Sequence, residues 1–554
     1  MISLKKITFV SLLVISLNLV SQNFTWKRGS CLRDYTGNHG IKGTASQGNN
    51  PGARRGAMTW TDGSGKLWLF GGFGWDQANN LNELNDLWKY DPITNQWAWM
   101  SGDSIAGQNG VYGIQGQAAI SNKPGARSDG VTWIDASGNL WLFGGNGFDK
   151  TSAYPNFLND VWKYTVANNR WTWVGGTDTV LQTPNYGLKS FGAASNDPGA
   201  RAGSANWQDP AGDLWLFGGK VYSGFLNDFW KYNVATNQWT WLAGDSLLNQ
   251  GGSYSSAPLF PGAHSFSSYW KDPAGDFWMF GGGGFTPTVT AWDVLSDLWK
   301  YEPSTDTWFF VNGSTQGSRP GVYGGNGTIY THPGARTGGP GWTDAAGLLW
   351  LFGGEGRDMN STYGFLNDVW RYDQNSGIWT STKVNYTVNL LGKFGPLGIT
   401  SNTVIPGSRL SGAVWTDAAT NTAWMMGGYG KDSAGTIGYL SDLWLIETCP
   451  ATPTSTNMAL CDHAVTGVLK YSISQADFSV YPNPSNGQFT LNLGTFEEKT
   501  KLCLYDISGR KVMESTMTEK ENVIRTQLSN GVYSYEIYQS ARLVGSGKLV
   551  IQNE

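Results

Sequence analysis

Three short strings recur six times in fixed order between residues 51 and 444, and this constrains the fold of the chain more than any other property. The first is Pro-Gly-Ala-Arg at 51–54, 124–127, 198–201 and 333–336, with variants ending in His264 and Arg409. The second is an apolar run closed by Gly-Gly, as in Leu67 to Gly72. The third is Leu, Asn or Ser, Asp, an apolar residue and Trp, running from Leu84–Trp88 in the first copy to Leu440–Trp444 in the sixth. Successive Arg (or His264) positions lie 73, 74, 63, 72 and 73 residues apart, the signature of a solenoid or propeller. Each copy reads as four short strands, a to d, with turn sequences at Asp62–Gly65 and Asp91–Asn95. Of the 29 Trp, all but Trp75 and Trp292 fall on these strands, which makes the repeated indoles core packing between sheets.

The sixth copy lacks its strand d, because Leu443–Glu447 runs straight into a different kind of sequence. The missing piece is at the other end: Phe24-Thr25-Trp26-Lys27-Arg28-Gly29 matches Trp239-Thr240-Trp241-Leu242-Ala243-Gly244. A strand supplied from the amino terminus closes a ring and leaves no open sheet edge. The expected fold is all-β, a six-bladed propeller closed by the N-terminal strand and followed by a small C-terminal β-sandwich.

Four regions are expected. Residues 1–22 combine Lys5 and Lys6 with an apolar run from Ile7 to Val20, the pattern of a secretory signal peptide. The propeller spans 23–448, a Pro- and Ser/Thr-containing linker spans 449–475, and 476–554, which has no Trp, forms the last domain. Charged residues are only 14% and the net charge is −4, which argues against nucleic acid and against an anionic membrane surface. With 4 His and 4 Cys there is little material for a His- or Cys-based metal site, and no metal or cofactor is expected. Export permits disulfides, with Cys449–Cys461 the candidate pair, while Cys503 is expected to be a buried thiol.

At the Gly-Gly doublets and following aromatics, residues 24–448 resemble the kelch-repeat β-propellers, although these repeats are about 20 residues longer than the family's. At Tyr481-Pro482-Asn483-Pro484, Tyr505-Asp506-Ile507-Ser508-Gly509-Arg510, Gly531-Val532-Tyr533 and Gly547-Lys548-Leu549-Val550, residues 476–554 resemble the C-terminal sorting domain of type IX secretion substrates in the Bacteroidetes. The second resemblance implies a partner in the outer-membrane translocon and a secreted or surface location.

Both the d-to-a and b-to-c connections of a blade emerge on one face, and both are long here, so the insertions are expected to crown the channel mouth. Residues present in every blade are read as architecture: Arg54, Arg127, Arg201, Arg336 and Arg409 pair with Asp86, Asp160, Asp228, Asp368 and Asp442, with His264 opposite Asp297. Residues that differ between blades are the ligand candidates. Directly after Gly-Gly stand Phe73, Asn146, Lys220, Gly283, Glu355 and Tyr429; two positions on stand Trp75, Phe148, Tyr222, Phe285, Arg357 and Lys431. Trp75, Phe148, Tyr222, Glu355 and Arg357, with His39 and His332 in the approaches to strand a, form the expected ligand-binding set. The expected role is a monomeric binding or adhesion module for a glycan or an extracellular protein. The alternative is a carbohydrate-active enzyme on the same scaffold, similar to the sialic-acid mutarotases or galactose oxidases with kelch repeats.

Overall fold

A computed structural model describes residues 22–323, 331–383, 386–401, 403–417, 420–447, 478–481, 485–493, 500–505, 511–539 and 542–552. The expected signal peptide, apart from Gln22, the linker and the Cys449–Cys461 pair lie outside the described residues. Two compact units are present, one holding the repeats and one the C-terminal domain.

The repeat unit is six antiparallel sheets, each built on the order a-b-c-d. In the first blade strand a is Met58–Thr61, strand b Leu67–Trp75, strand c Leu81–Asp91 and strand d Gln96–Ser101. Strands b and c extend further than the sequence pattern suggests. The Gly71–Gly72 doublet, with φ of 61° and 99°, makes a bulge between Phe70 and Gly72, after which pairing resumes as Phe73↔Glu83 and Arg55↔Phe73. Residues following the doublet are therefore held on rigid strands. The first glycine of each doublet also receives the neighbouring blade: a Cβ on Gly71 would lie 2.5 Å from the Arg127 carbonyl oxygen, and one on Gly427 2.6 Å from that of Arg54.

The sixth blade comprises Ala413–Asp417, Thr422–Lys431, Ile437–Glu447 and, as strand d, Asn23–Arg28. Trp26 stands opposite Trp444, and Phe24, fully buried, packs edge-on against Trp444 and Phe352. Around the axis, six backbone hydrogen bonds of 2.7 to 3.0 Å run Gly56→Ser411→Gly338→Phe266→Gly203→Asp129→Gly56, each N–H donating to the next carbonyl. All six residues sit at positive φ, between 49° and 67°. The circle closes on six members, which fixes the blade number.

The d-to-a insertions do not stay at the mouth. Gly43 N donates to Trp99 O and Ala45 pairs with Ala98; Gly116 N donates to Trp173 O, Ser190 N to Trp241 O and Gly398 N to Trp26 O. Each of these insertions folds down along strand d of its own blade and shields the outer edge. The extra length of the repeat thus satisfies backbone groups that would otherwise template aggregation, which corrects the expectation that the insertions all crown one rim.

The C-terminal unit is two antiparallel sheets, ordered Phe478–Tyr481, Gln488–Leu493, Glu521–Arg525 and Lys511–Thr516, Lys501–Tyr505, Gly531–Gln539, Arg542–Ile551. Phe489, Leu491, Leu502, Leu504, Ile524, Ile537 and Leu549 form its core. Cys503 is buried with its Sγ 3.9 Å from Glu514 Oε2.

Candidate functional site

The blade-invariant charges lie deep in the blades. Arg127 Nη1 and Nη2 donate to Asp160 Oδ1 and Oδ2 at 2.5 and 2.8 Å, and Nη1 also reaches Gly144 O at 3.1 Å. Arg54, Arg201, Arg336 and Arg409 do the same with Asp86, Asp228, Asp368 and Asp442. Each Asp also accepts the indole N–H of the Trp two residues on, such as Trp162, and in most blades a hydroxyl from the insertion: Tyr112 to Asp160, Tyr186 to Asp228, Tyr254 to Asp297, Tyr323 to Asp368.

His39 occupies that tyrosine position in the first blade. Its Nε2 is 3.2 Å from Asp86 Oδ2, its ring packs on Trp88 and Trp99, and it is only 2% exposed. It is a structural residue rather than a ligand contact, a correction legible in the alignment of His39-Gly40-Ile41 with Tyr112-Gly113-Ile114. Phe148 is likewise removed from the candidate set by burial, at 4% exposure. His332 lies just before strand a of the fifth blade, where its backbone pairs with Val322 and its Nδ1 lies 3.1 Å from Pro333 O.

The other candidates divide. Trp75 Nε1 donates to Asp34 Oδ1 at 2.9 Å and so anchors the chain that follows the closing strand. Arg357 is held by Ser361 O and Ser318 Oγ and lies 5.3 Å above the Tyr363 ring. Tyr222 is exposed at the tip of the third blade's b–c hairpin. Glu355 is half-buried, and burial raises its carboxyl above the usual value against the pull of Arg55. In four blades the doublet continues as Gly-Gly-x-Gly-x-Asp, ending at Asp76, Asp149, Asp358 and Asp432, and these aspartates cap hairpins: Asp76 accepts from Ala78 N, Asn80 N and, across to the d-to-a connection, Ala106 N.

Glu355 belongs to a circular row just above the axial ring, in which b-strand residues of one blade meet c-strand residues of the one before. Phe73 touches Tyr439 (5.6 Å between centroids), Tyr439 touches Tyr429 (4.9 Å) and Tyr429 touches Phe365 (5.7 Å), an aromatic arc across blades five, six and one. Arg55 lies 5.8 Å over Phe73, and its charge opposes the burial that raises the Tyr439 hydroxyl. Between blades one and two the row turns polar: Glu83 Oε1 accepts from Asn146 Nδ2 at 2.9 Å and Ser128 Oγ lies 3.2 Å away. Across the mouth, Trp292, half exposed, covers Gly283, whose missing side chain makes room for the indole. Below the row the axial cavity, about 370 Å³, is lined in all six blades by residues of strand a and by the ring residues just before it, including Asp129 and Phe266. Arg55, Glu83, Asp129 and Trp292 escaped the sequence reading, which compared blades only at the positions after Gly-Gly. The signal for Trp292 was its standing as one of two Trp outside the repeats.

Residues 63–98, strands b to d of the first blade, match the Kelch motif, and residues 479–552 match the Secretion system C-terminal sorting domain. The chain is a kelch-repeat protein with a type IX sorting tail. The tail marks proteins exported to the cell surface or the extracellular space. No curated protein matches the chain. Among the described residues of this kelch protein, no three His, Cys, Asp or Glu side chains converge as a metal ion requires.

One blade departs from the buried pattern in a testable way. His264 Nδ1 lies 2.7 Å from Gly262 O and Nε2 3.0 Å from Asp297 Oδ2, so both ring nitrogens face acceptors, and Asp297 Oδ1 is buried without a partner. Burial alone would lower the His264 pKa, but the Asp297 carboxylate raises it overall. The stabilisation is therefore full below pH 6.5, the ordinary histidine value, and is lost as the pH rises through the raised folded value. His264→Arg restores the fork found in the other blades. It is expected to raise the melting temperature most at alkaline pH, measured by calorimetry from pH 5 to 9 against the unaltered protein.

Proposed function

We propose that the protein is a secreted glycan-binding module, exported after removal of residues 1–22 as a signal peptide, and that its ligand sits in the channel mouth. The observation that carries this reading is the row of side chains differing from blade to blade on an otherwise repeating frame: Phe73, Tyr439 and Tyr429 on one side, backed by the buried Phe365, and Trp292 on the other, with Asn146, Glu355 and Lys220 between them. Aromatic faces stack on the apolar faces of sugar rings, while side-chain amides and charges take the hydroxyls. Because these residues stand on strands, the site is preorganised and little ordering entropy opposes binding.

Tyr429→Ala and Trp292→Ala are each expected to weaken binding at least tenfold, about 1.4 kcal/mol. A glycan panel probed with the full chain and both variants tests this. Unchanged binding in both variants, or no glycan retained by the unaltered protein, overturns the reading.

A further inference from the structure

The largest departure from the repeat lies between blades one and two. Glu83 occupies a c-strand position filled by Phe157, Phe225, Val294, Phe365 and Tyr439 in the other blades. Five blades thus place an apolar or aromatic residue where this one places a carboxyl that is 2% exposed. Its Oε1 has Asn146 and Ser128 for partners, whereas Oε2 is buried with none. Ser128 Oγ also lies 3.1 Å from Oδ2 of Asp129, which lines the axial cavity. One hydroxyl proton serves at most one of the two acids, so a proton on a carboxyl would give the string Glu83, Ser128, Asp129 its second donor.

The charge count around the string is unbalanced. Arg55 is the cation that attracts Glu83, Asp129 and Glu355, so three carboxyls face one guanidinium. Burial, and then the nearby Asp129 charge, raise Glu83 to about 8, and burial raises Asp129 as well. The mouth therefore offsets its excess of carboxyls by holding protons. An ammonium group carried on a larger ligand would offset the same excess of carboxyls. Tyr429 and Tyr439, on the Glu355 side of the mouth, present aromatic rings suited to an ammonium group.

We infer that the mouth recognises a glycan bearing a free primary amine, the ammonium group taking its place beside Asp129 and the Glu83 proton leaving to solvent as it binds. This rests on the glycan reading above and narrows it to amino sugars without N-acetylation. The test is calorimetric titration of the full chain at pH 6, in two buffers of different ionisation enthalpy, with fully deacetylated chitotetraose, its N-acetylated counterpart and tetralysine. The expected result is at least tenfold tighter binding of the deacetylated sugar with release of about one proton. Glu83→Gln, which imitates the protonated acid, is expected to abolish the release, and Asp129→Asn to bring the two sugars to near-equal affinity. Binding of the acetylated sugar as tightly as the amine, or equal proton release from Glu83→Gln, overturns the inference and leaves the glycan reading standing. Binding of neither sugar overturns the inference, while the glycan reading stands or falls on the panel. Proton-releasing capture of tetralysine alone overturns the assignment to a glycan.

Discussion

Removing Asn23–Arg28 is expected to lower the melting temperature by roughly 10 °C and to broaden the transition. The strand supplies Phe24, which is fully buried against Trp444 and Phe352, and pairs along strand c of the sixth blade from Glu447 to Leu443. Losing one such aromatic from a core costs about 3 to 5 kcal/mol before any backbone pairing is counted. The deletion also leaves strand c as an open edge and uncovers the insertion that holds Gly398 N to Trp26 O. Calorimetry on the truncated and full-length chains measures the drop, and a synthetic peptide of residues 23–30 should restore part of it. A truncated protein that melts with the parent would show that the ring closes without its first strand.

The second large effect is expected inside a blade. Arg127→Met should destabilise the propeller by about 3 to 5 kcal/mol, read by denaturant unfolding, because it strands the Asp160 carboxylate in a site with no solvent. Both side chains are fully buried, and Asp160 Oδ2 already accepts from Tyr112 and Trp162, so the acid has no route to water. Replacing Asp160 as well should not rescue the variant fully, since those hydroxyl and indole donors then lose their acceptor. A loss below 1 kcal/mol would mean that the Arg–Asp forks are incidental to blade stability.

The parts of this architecture that were legible in the sequence are those that every blade repeats. The Arg and Asp positions recur because each blade must satisfy the same buried acid, and the closing strand betrayed itself by matching Trp239–Gly244 across the chain. The course of the insertions was not legible, because Gly- and Asn-rich segments carry no periodicity; only Gly43, Gly116 and Ser190 bonding to strand d shows that they shield edges. His39 misled because a histidine in a loop suggests chemistry, whereas the neighbouring blades place Tyr112 and Tyr186 at the same node. At the mouth, Glu355 and Tyr429 were found by comparing blades at one strand position. Glu83 was missed because its own strand position, aromatic or aliphatic elsewhere, was not compared. Arg55 was hidden by standing next to the invariant Arg54.

The central claim is that function sits where the blades differ, in the axial mouth, and not along the shielded perimeter. Its most direct measurement is a crystal structure of the full chain with a bound oligosaccharide taken from the glycan panel. The account predicts sugar density above the axial ring of Gly56, Asp129, Gly203, Phe266, Gly338 and Ser411, in contact with Tyr429 and Trp292. Density confined to the outer edge, over insertions such as Ile114–Gly116 or Leu188–Ser190, would contradict it.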